Sequence, residues 1–488
     1  MAASRCFLTP AHFRLTDLGG SAHEHSMRPL VLCFAILAVG CPDRSISPVA
    51  PVQSAAYTKS IPVSADIDIL FVIDNSASTQ DKQKIFASNY GKFVAALDRF
   101  PTGRPNVHLG VVTSSVDIGV DGFGGQCHPA SGQNGVLQNA SHDPSFVCTP
   151  PTTDRYLVDV AQPGGGRMTN YGGTLDQALS CISHAGQSGC GFEAPLEAMK
   201  RALDGSHPEN AGFLRPGAFL AVVFLTDEDD CSAKPGLFMQ PTSVVGGEDF
   251  RCVQTAYQCD TSISPTAPGA YSNCKVRHDG FLINPGDYAQ FLSTVKGPSR
   301  VAVALIAGDP TKNIATGPLT KPFMESLALQ PSCMATIDGN FAIGRPAVRL
   351  DEFLGNFGDR GLFRTVCQSD YSQALDDIGT LLFHAVSPCL EGELDTSDTD
   401  LANPGLQPEC TVSDLQDPDT DTQTETQIPP CRMLAEDRPD LAGQQACWWV
   451  KSNPAVCSTE THLELHVERA APPAPNTTVR VSCAVAGT

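Results

Sequence analysis

Asp74, Ser76 and Ser78 set a carboxylate and two hydroxyls at alternate positions directly after the apolar run Ile69-Leu70-Phe71-Val72-Ile73. Oxygen donors of this kind suit a hard divalent cation, Mg2+ or Ca2+. A second apolar run, Ala218 to Leu225, ends in Thr226-Asp227, and a third, Val301 to Ala307, ends in Gly308-Asp309. Runs without alternation read as strands buried on both faces. Parallel neighbours would carry Asp74, Asp227 and Asp309 to one sheet edge, where open α/β sheets bind ligands. Two blander readings compete. Ser76 and Ser78 suit the cap of a helix starting near Gln80, and Glu228, Asp229 and Asp230 read as a solvated acidic turn, one of which could bind Ca2+.

Other chemistry is poorly represented. His462 and His466 flank Glu464, but strict alternation from His462 to Val467 makes them one face of a strand rather than a zinc helix. Asp417, Asp419 and Asp421 lack the glycine and the distal glutamate of a Ca2+ loop. No phosphate-binding loop, dinucleotide fingerprint or nucleophile elbow is present, and no nucleophile–base pair is legible, so no enzymatic role is expected. A net charge of −21 argues against a nucleic-acid surface.

Helices are needed to hold such an edge together. Ile85, Phe86, Tyr90, Phe93, Val94 and Leu97 form a helical stripe after the first strand, and Val107 to Val112 reads as a second, shorter strand. Two helices are expected between Gly172 and Leu203, the first opened by Gly173-Thr174 and the second by Gly191-Phe192-Glu193. Residues 287–295 and 370–385 read as further helices. Apolar strands separated by helices indicate an α/β fold with a doubly wound, mainly parallel sheet. Two loop-rich insertions, at 114–170 and 231–283, interrupt it, with Cys127 and Cys148 expected to close the first and Cys181 and Cys190 to bridge the two helices.

The 488 residues hold 19 cysteines, and removing Cys6, Cys33 and Cys41 leaves an even sixteen with no CxxC pair. That usage implies an oxidising compartment and up to eight disulfides. Residues 1–40 read as a signal region, with 1–26 a mis-assigned start or a long leading segment before Met27-Arg28. Residues 41–62 read as a tether, 63–390 as the α/β domain, 391–430 as an acidic linker without Lys or Arg, and 431–488 as a small disulfide-rich β module with Trp448 and Trp449 in its core.

Asp74-x-Ser76-x-Ser78 after an apolar strand, with a later strand ending Thr226-Asp227, resembles the von Willebrand factor A family. The resemblance covers about 63–390 and implies a metal-ion-dependent adhesion site on Asp74, Ser76, Ser78 and Asp227. The family's remaining motif falls on Glu193 by register, with Thr174 as the alternative by residue type; a glutamate there would make the site more anionic and less attractive to an acidic partner residue. Leu37-Ala38-Val39-Gly40-Cys41 resembles a bacterial lipobox, implying lipidation at Cys41. Gly189 to Glu193 and Thr226 to Ser232 are similar to cysteine-rich lipoproteins of this family from bacterial cell envelopes. The resemblance implies an outer-membrane or cell-surface location, periplasm-facing or secreted forms being the variants, and binding of a protein or extracellular-matrix ligand through the ion. The alternatives are a structural envelope protein whose ion only stabilises it and, ranked last, an uncharacterised hydrolase hidden in the insertions.

Overall fold

Strand pairing begins from the apolar run before Asp74. In the computed structural model, β1 spans Ala56–Pro62 and the main sheet is built from β2 (Asp66–Ile73), β3 (Asn106–Thr113), β4 (Leu157–Ala161), β5 (Arg167–Thr169), β6 (Phe219–Leu225), β7 (Val301–Ala307) and β8 (Gly361–Thr365). Their order is β8-β7-β6-β2-β3-β4-β5. The structure describes residues 56–486 except 64–65, 101–102, 120–126, 128–132, 235, 248–249, 322–323, 338–339, 458, 460 and 475. The signal region, Cys41 and the tether up to residue 55 lie outside the described residues.

Pleating sends Ile67, Ile69, Phe71 and Ile73 of β2 into one hydrophobic cluster and Leu70 and Val72 into another. Helices α1 (Gln80–Ser88), α2 (Tyr90–Asp98), α3 (Leu175–Ser183), α4 (Pro195–Leu203), α5 (Pro285–Lys296), α6 (Val348–Leu354) and α7 (Ser372–Val386) supply the opposing surfaces. The first cluster takes residues of α1, α2, α3 and α7, and the second takes residues of α4, α5 and α6. The helical stripe from Ile85 to Leu97 is broken at Asn89 into α1 and α2.

The expectation of a doubly wound, mainly parallel sheet is corrected. The seven-stranded sheet is mixed: β8, β7, β6, β2 and β3 pair in parallel, whereas β4 pairs antiparallel with β3 and β5 antiparallel with β4. Six smaller sheets accompany it among the described residues. The physical reason lies in the insertions. Residues expected to be irregular contribute their own strands, and β4 satisfies the edge of β3 that would otherwise stay open.

Two segments expected to be extended are also ordered. Residues 56–62 of the tether form β1, which pairs with β11 (Thr477–Ala484), while the acidic linker contributes β9 (Cys410–Gln416) and β10 (Thr424–Ile428). Together they make a sheet in the order β1-β11-β9-β10. The linker lacks its own cations and borrows them. Arg469 binds Asp414 with bonds of 2.6 and 2.7 Å, Arg480 pairs with Glu425, and Lys59 lies 3.4 Å from Glu391. Trp448 is buried between Val412, Val450 and Leu465 in the core under this sheet, and Trp449 packs in a smaller cluster with Cys431, Met433 and Cys447.

Eight disulfides staple the described residues, which places the chain in an oxidising, extracytoplasmic compartment. No helix among the described residues is long and apolar enough to cross a membrane. The expected pairing of neighbours is corrected: Cys127 joins Cys190 and Cys148 joins Cys181. Each bridge therefore ties the first insertion to the α3–α4 region instead of closing a local loop. Proteolysis without reductant followed by mass spectrometry should recover peptides linked 127–190 and 148–181. Recovery of 127–148 and 181–190 would refute this connectivity.

Candidate metal centre

Register determines which groups meet at the carboxyl edge. Ile73 lies opposite Leu225 and Leu225 opposite Ile306, so Asp74 and Thr226 emerge side by side. The Asp74 amide donates to Leu225 O at 2.9 Å, and Thr226 Oγ1 donates to Asp74 Oδ2 at 2.9 Å. Ser76 N donates to the other oxygen, Oδ1, at 2.8 Å, curling the chain back over the carboxylate. Thr79 Oγ1 and Gln83 Nε2 donate to Asp74 O at 2.8 and 2.7 Å, which locks the turn onto the start of α1.

The two hydroxyls do not cap that helix. Ser78 Oγ donates to Asp227 Oδ1 at 3.0 Å, which leaves Ser76 Oγ to donate to Ser78 Oγ at 3.1 Å. Two segments about 150 positions apart thus share one line of oxygens, from Asp74 through Ser76 and Ser78 to Asp227. Lys82, on the first turn of α1, donates to Asp227 Oδ2 at 2.7 Å and to Ser78 O at 2.9 Å; lysine and aspartate are each 2% exposed.

Glu193 enters from the segment between α3 and α4. Its carbonyl accepts from Cys231 N at 2.7 Å, and the next amide, Ala194 N, donates to Ser114 O at 3.1 Å beyond β3. Its carboxyl is buried beside Asp74. Burial, then the Asp74 charge, pushes it well above the usual carboxylate range. Burial, followed by the charge of Asp227, pushes Asp74 up to about 6. The alternative residue, Thr174, is exposed and forms a capping box with Gln177 at the start of α3. Asp309 lies two residues beyond β7, half-buried and outside this hydrogen-bonded set.

These donors fit a hard cation in part. Cis ligands of an octahedral Mg2+ at roughly 2.1 Å stand about 3 Å apart, which matches the Ser76–Ser78 and Ser78–Asp227 spacings of 3.1 and 3.0 Å. Asp74, Asp227 and Glu193 are buried, with Lys82 paired to Asp227 and the charge of Arg345 acting on Glu193, so an ion would add to cations already near this edge. Among the described residues, no three His, Cys, Asp or Glu side chains converge as a ready cage. An ion here would be held by hydroxyls together with carboxylates and water.

A cavity of about 40 Å³ adjoins the centre, walled by Phe192, Glu193, Glu228, Tyr257, Leu329 and Arg345. Arg345 pairs with Glu228, and its amide donates to Asp227 O at 2.8 Å. Sequence reasoning missed Arg345, which carries no local signal. It also missed Lys82, although that residue lies one turn before Phe86 on the buried stripe of α1.

The reading of Asp229 and Asp230 as solvated is corrected. Asp229 accepts from the Arg349 and Leu350 amides at the start of α6 and from Tyr257 Oη at 2.6 Å. Asp230 accepts from Leu196 N at the start of α4 at 3.2 Å and pairs with fully buried Arg349 at 2.9 Å. Two consecutive carboxylates thereby anchor two helix N-termini, where the backbone favours negative charge.

No family model matches the chain, and no curated protein matches it. Among solved structures, the pilus adhesin SpaC from Lactobacillus rhamnosus GG in its open conformation is similar at 11% identity and a TM-score of 0.31, covering 89% of this chain. The chain spans 42% of that adhesin's length, and a likeness at this level does not establish a shared fold.

Two substitutions probe the framework. Asp230→Ala strands a buried guanidinium and should lower unfolding free energy by about 3–5 kcal/mol. Gly308 lies where a Cβ would come 1.9 Å from Arg345 O, so Gly308→Ala should cost about 1–3 kcal/mol. Denaturant unfolding checks both, and wild-type stability in either variant would refute the corresponding contact.

Proposed function

We propose that this chain is an extracytoplasmic binding protein that holds Mg2+ or Ca2+ on Asp74, Ser76, Ser78 and Asp227, beside Glu193, and uses the ion to engage a protein or matrix ligand. The observation that carries this reading is the hydroxyl of Ser78, which touches both Ser76 and Asp227 at the spacing of cis ligands. Ser78 is exposed while Asp74, Asp227 and Glu193 are buried, so the line of oxygens is open to a partner at Ser78. The likeness of the Asp74–Ser78 motif to the von Willebrand factor A family supports the same reading. The lipobox-like sequence ending at Cys41 supports a lipid-anchored position at the bacterial outer membrane or cell surface.

One observation favours a second reading, a structural envelope protein with a stabilising ion. Lys82 already neutralises Asp227, and Thr226 and Ser76 already satisfy Asp74. The two readings differ in what chelation removes. Chelator-treated protein should gain several degrees in Tm on adding millimolar Mg2+ or Ca2+, and Asp74→Asn should lose that gain. A partner captured from envelope extracts should be released by EDTA. Retention of the partner in EDTA, with the Tm gain intact, would leave the structural reading standing; absence of any Tm gain would remove the ion from both.

A further inference from the structure

Lys82 is an unusual neighbour for a cation site. Its side chain is 2% exposed, and burying such a charge is costly unless it is paired at close range. Here the pairing is with Asp227 Oδ2, while Oδ1 of the same carboxylate takes the Ser78 hydroxyl. The second bond, to Ser78 O, fixes the ammonium to the loop that carries both serines. Lys82 is thus bound to each of the two segments that would hold an ion. It comes from the first turn of α1, whose adjacent residue Gln83 is clamped to Asp74 O at 2.7 Å and Gly186 O at 2.8 Å, so that turn is held in place.

We propose that Lys82 is a tethered counter-ion that competes with the divalent cation for Asp227 and thereby sets the affinity of the site. The inference rests on the ion-binding reading above. Without a divalent ion, the ammonium keeps Asp227 neutralised and the two segments joined. An ion that also took Asp227 would add a second cation to a carboxylate Lys82 already holds, at a separation on the order of 5 Å for ligands of a hard cation. Even at the screening of bulk water, that repulsion weakens binding by about tenfold. The site is then a low-affinity one that fills and empties with the external cation concentration, while α1 stays anchored in both states.

Isothermal titration with MgCl2, CaCl2 and MnCl2 on the chelator-treated, disulfide-intact chain tests this. Lys82→Met removes the charge. Lys82→Gln removes the charge but keeps a hydrogen-bond donor for Asp227, and so serves if the methionine variant fails to fold. Lys82→Arg keeps the charge. Both neutral variants should bind about tenfold more tightly or better, with Lys82→Arg close to wild type. A purely structural lysine would not give this charge-dependent split. If wild type binds and Lys82→Gln binds equally or more weakly, the proposal about Lys82 is overturned while the ion site stands. If neither wild type nor Lys82→Gln binds any of the three ions, the ion site and the proposal fall together.

Discussion

The parallel pairing of β2 with β6, with Ile73 opposite Leu225, is the constraint on which the rest of this molecule depends. It converts a long sequence separation into adjacency at one strand edge. Backbone geometry alone then sets Asp74 beside Thr226, and one further residue brings Asp227 within reach of Ser78. A one-residue slip would reverse every side chain of β2 between its two hydrophobic clusters. Burial of Ile69, Phe71 and Ile73 on one face and Leu70 and Val72 on the other therefore protects the site as well as the core.

The chain buries acidic groups in quantity and handles each by a local device. Asp68 is met by Arg215 and Lys296 at the far end of β2, Asp159 by Arg104, Arg167 and Tyr171, and Asp230 by Arg349. Asp229 relies on helix amides and a phenol. Asp74 has no ion pair among the described residues, Glu193 has only the charge of Arg345 acting on it, and burial raises both. This contrast sets Asp74 and Glu193 apart from the carboxylates that hold the framework together.

What could be read in the sequence follows from how local each signal is. Strands β2, β6 and β7 were legible because burial on both faces leaves an unbroken apolar run. The Asp74–Ser78 spacing and Thr226-Asp227 were legible because each follows such a run. The mixed character of the sheet was not, since β4 and β5 are short and lie in a stretch dominated by Gly, Pro and Ser. Disulfide connectivity was hidden because spacing does not encode it. Asp229 and Asp230 looked like a solvated turn because the helices they anchor begin far away in sequence, at 348 and 195. The linker looked free because its cations, Arg469, Arg480 and Lys59, lie outside it.

The central claim is that the 74–78 loop and Asp227 share one divalent cation. Anomalous diffraction from crystals soaked in Mn2+ tests it most directly. One strong peak is expected within about 2.3 Å of the Ser76 and Ser78 hydroxyls, with a carboxylate of Asp74 or Asp227 holding the ion directly or through an ordered water. A Mn2+ peak elsewhere on the molecule, or none at this edge at saturating concentration, would contradict it.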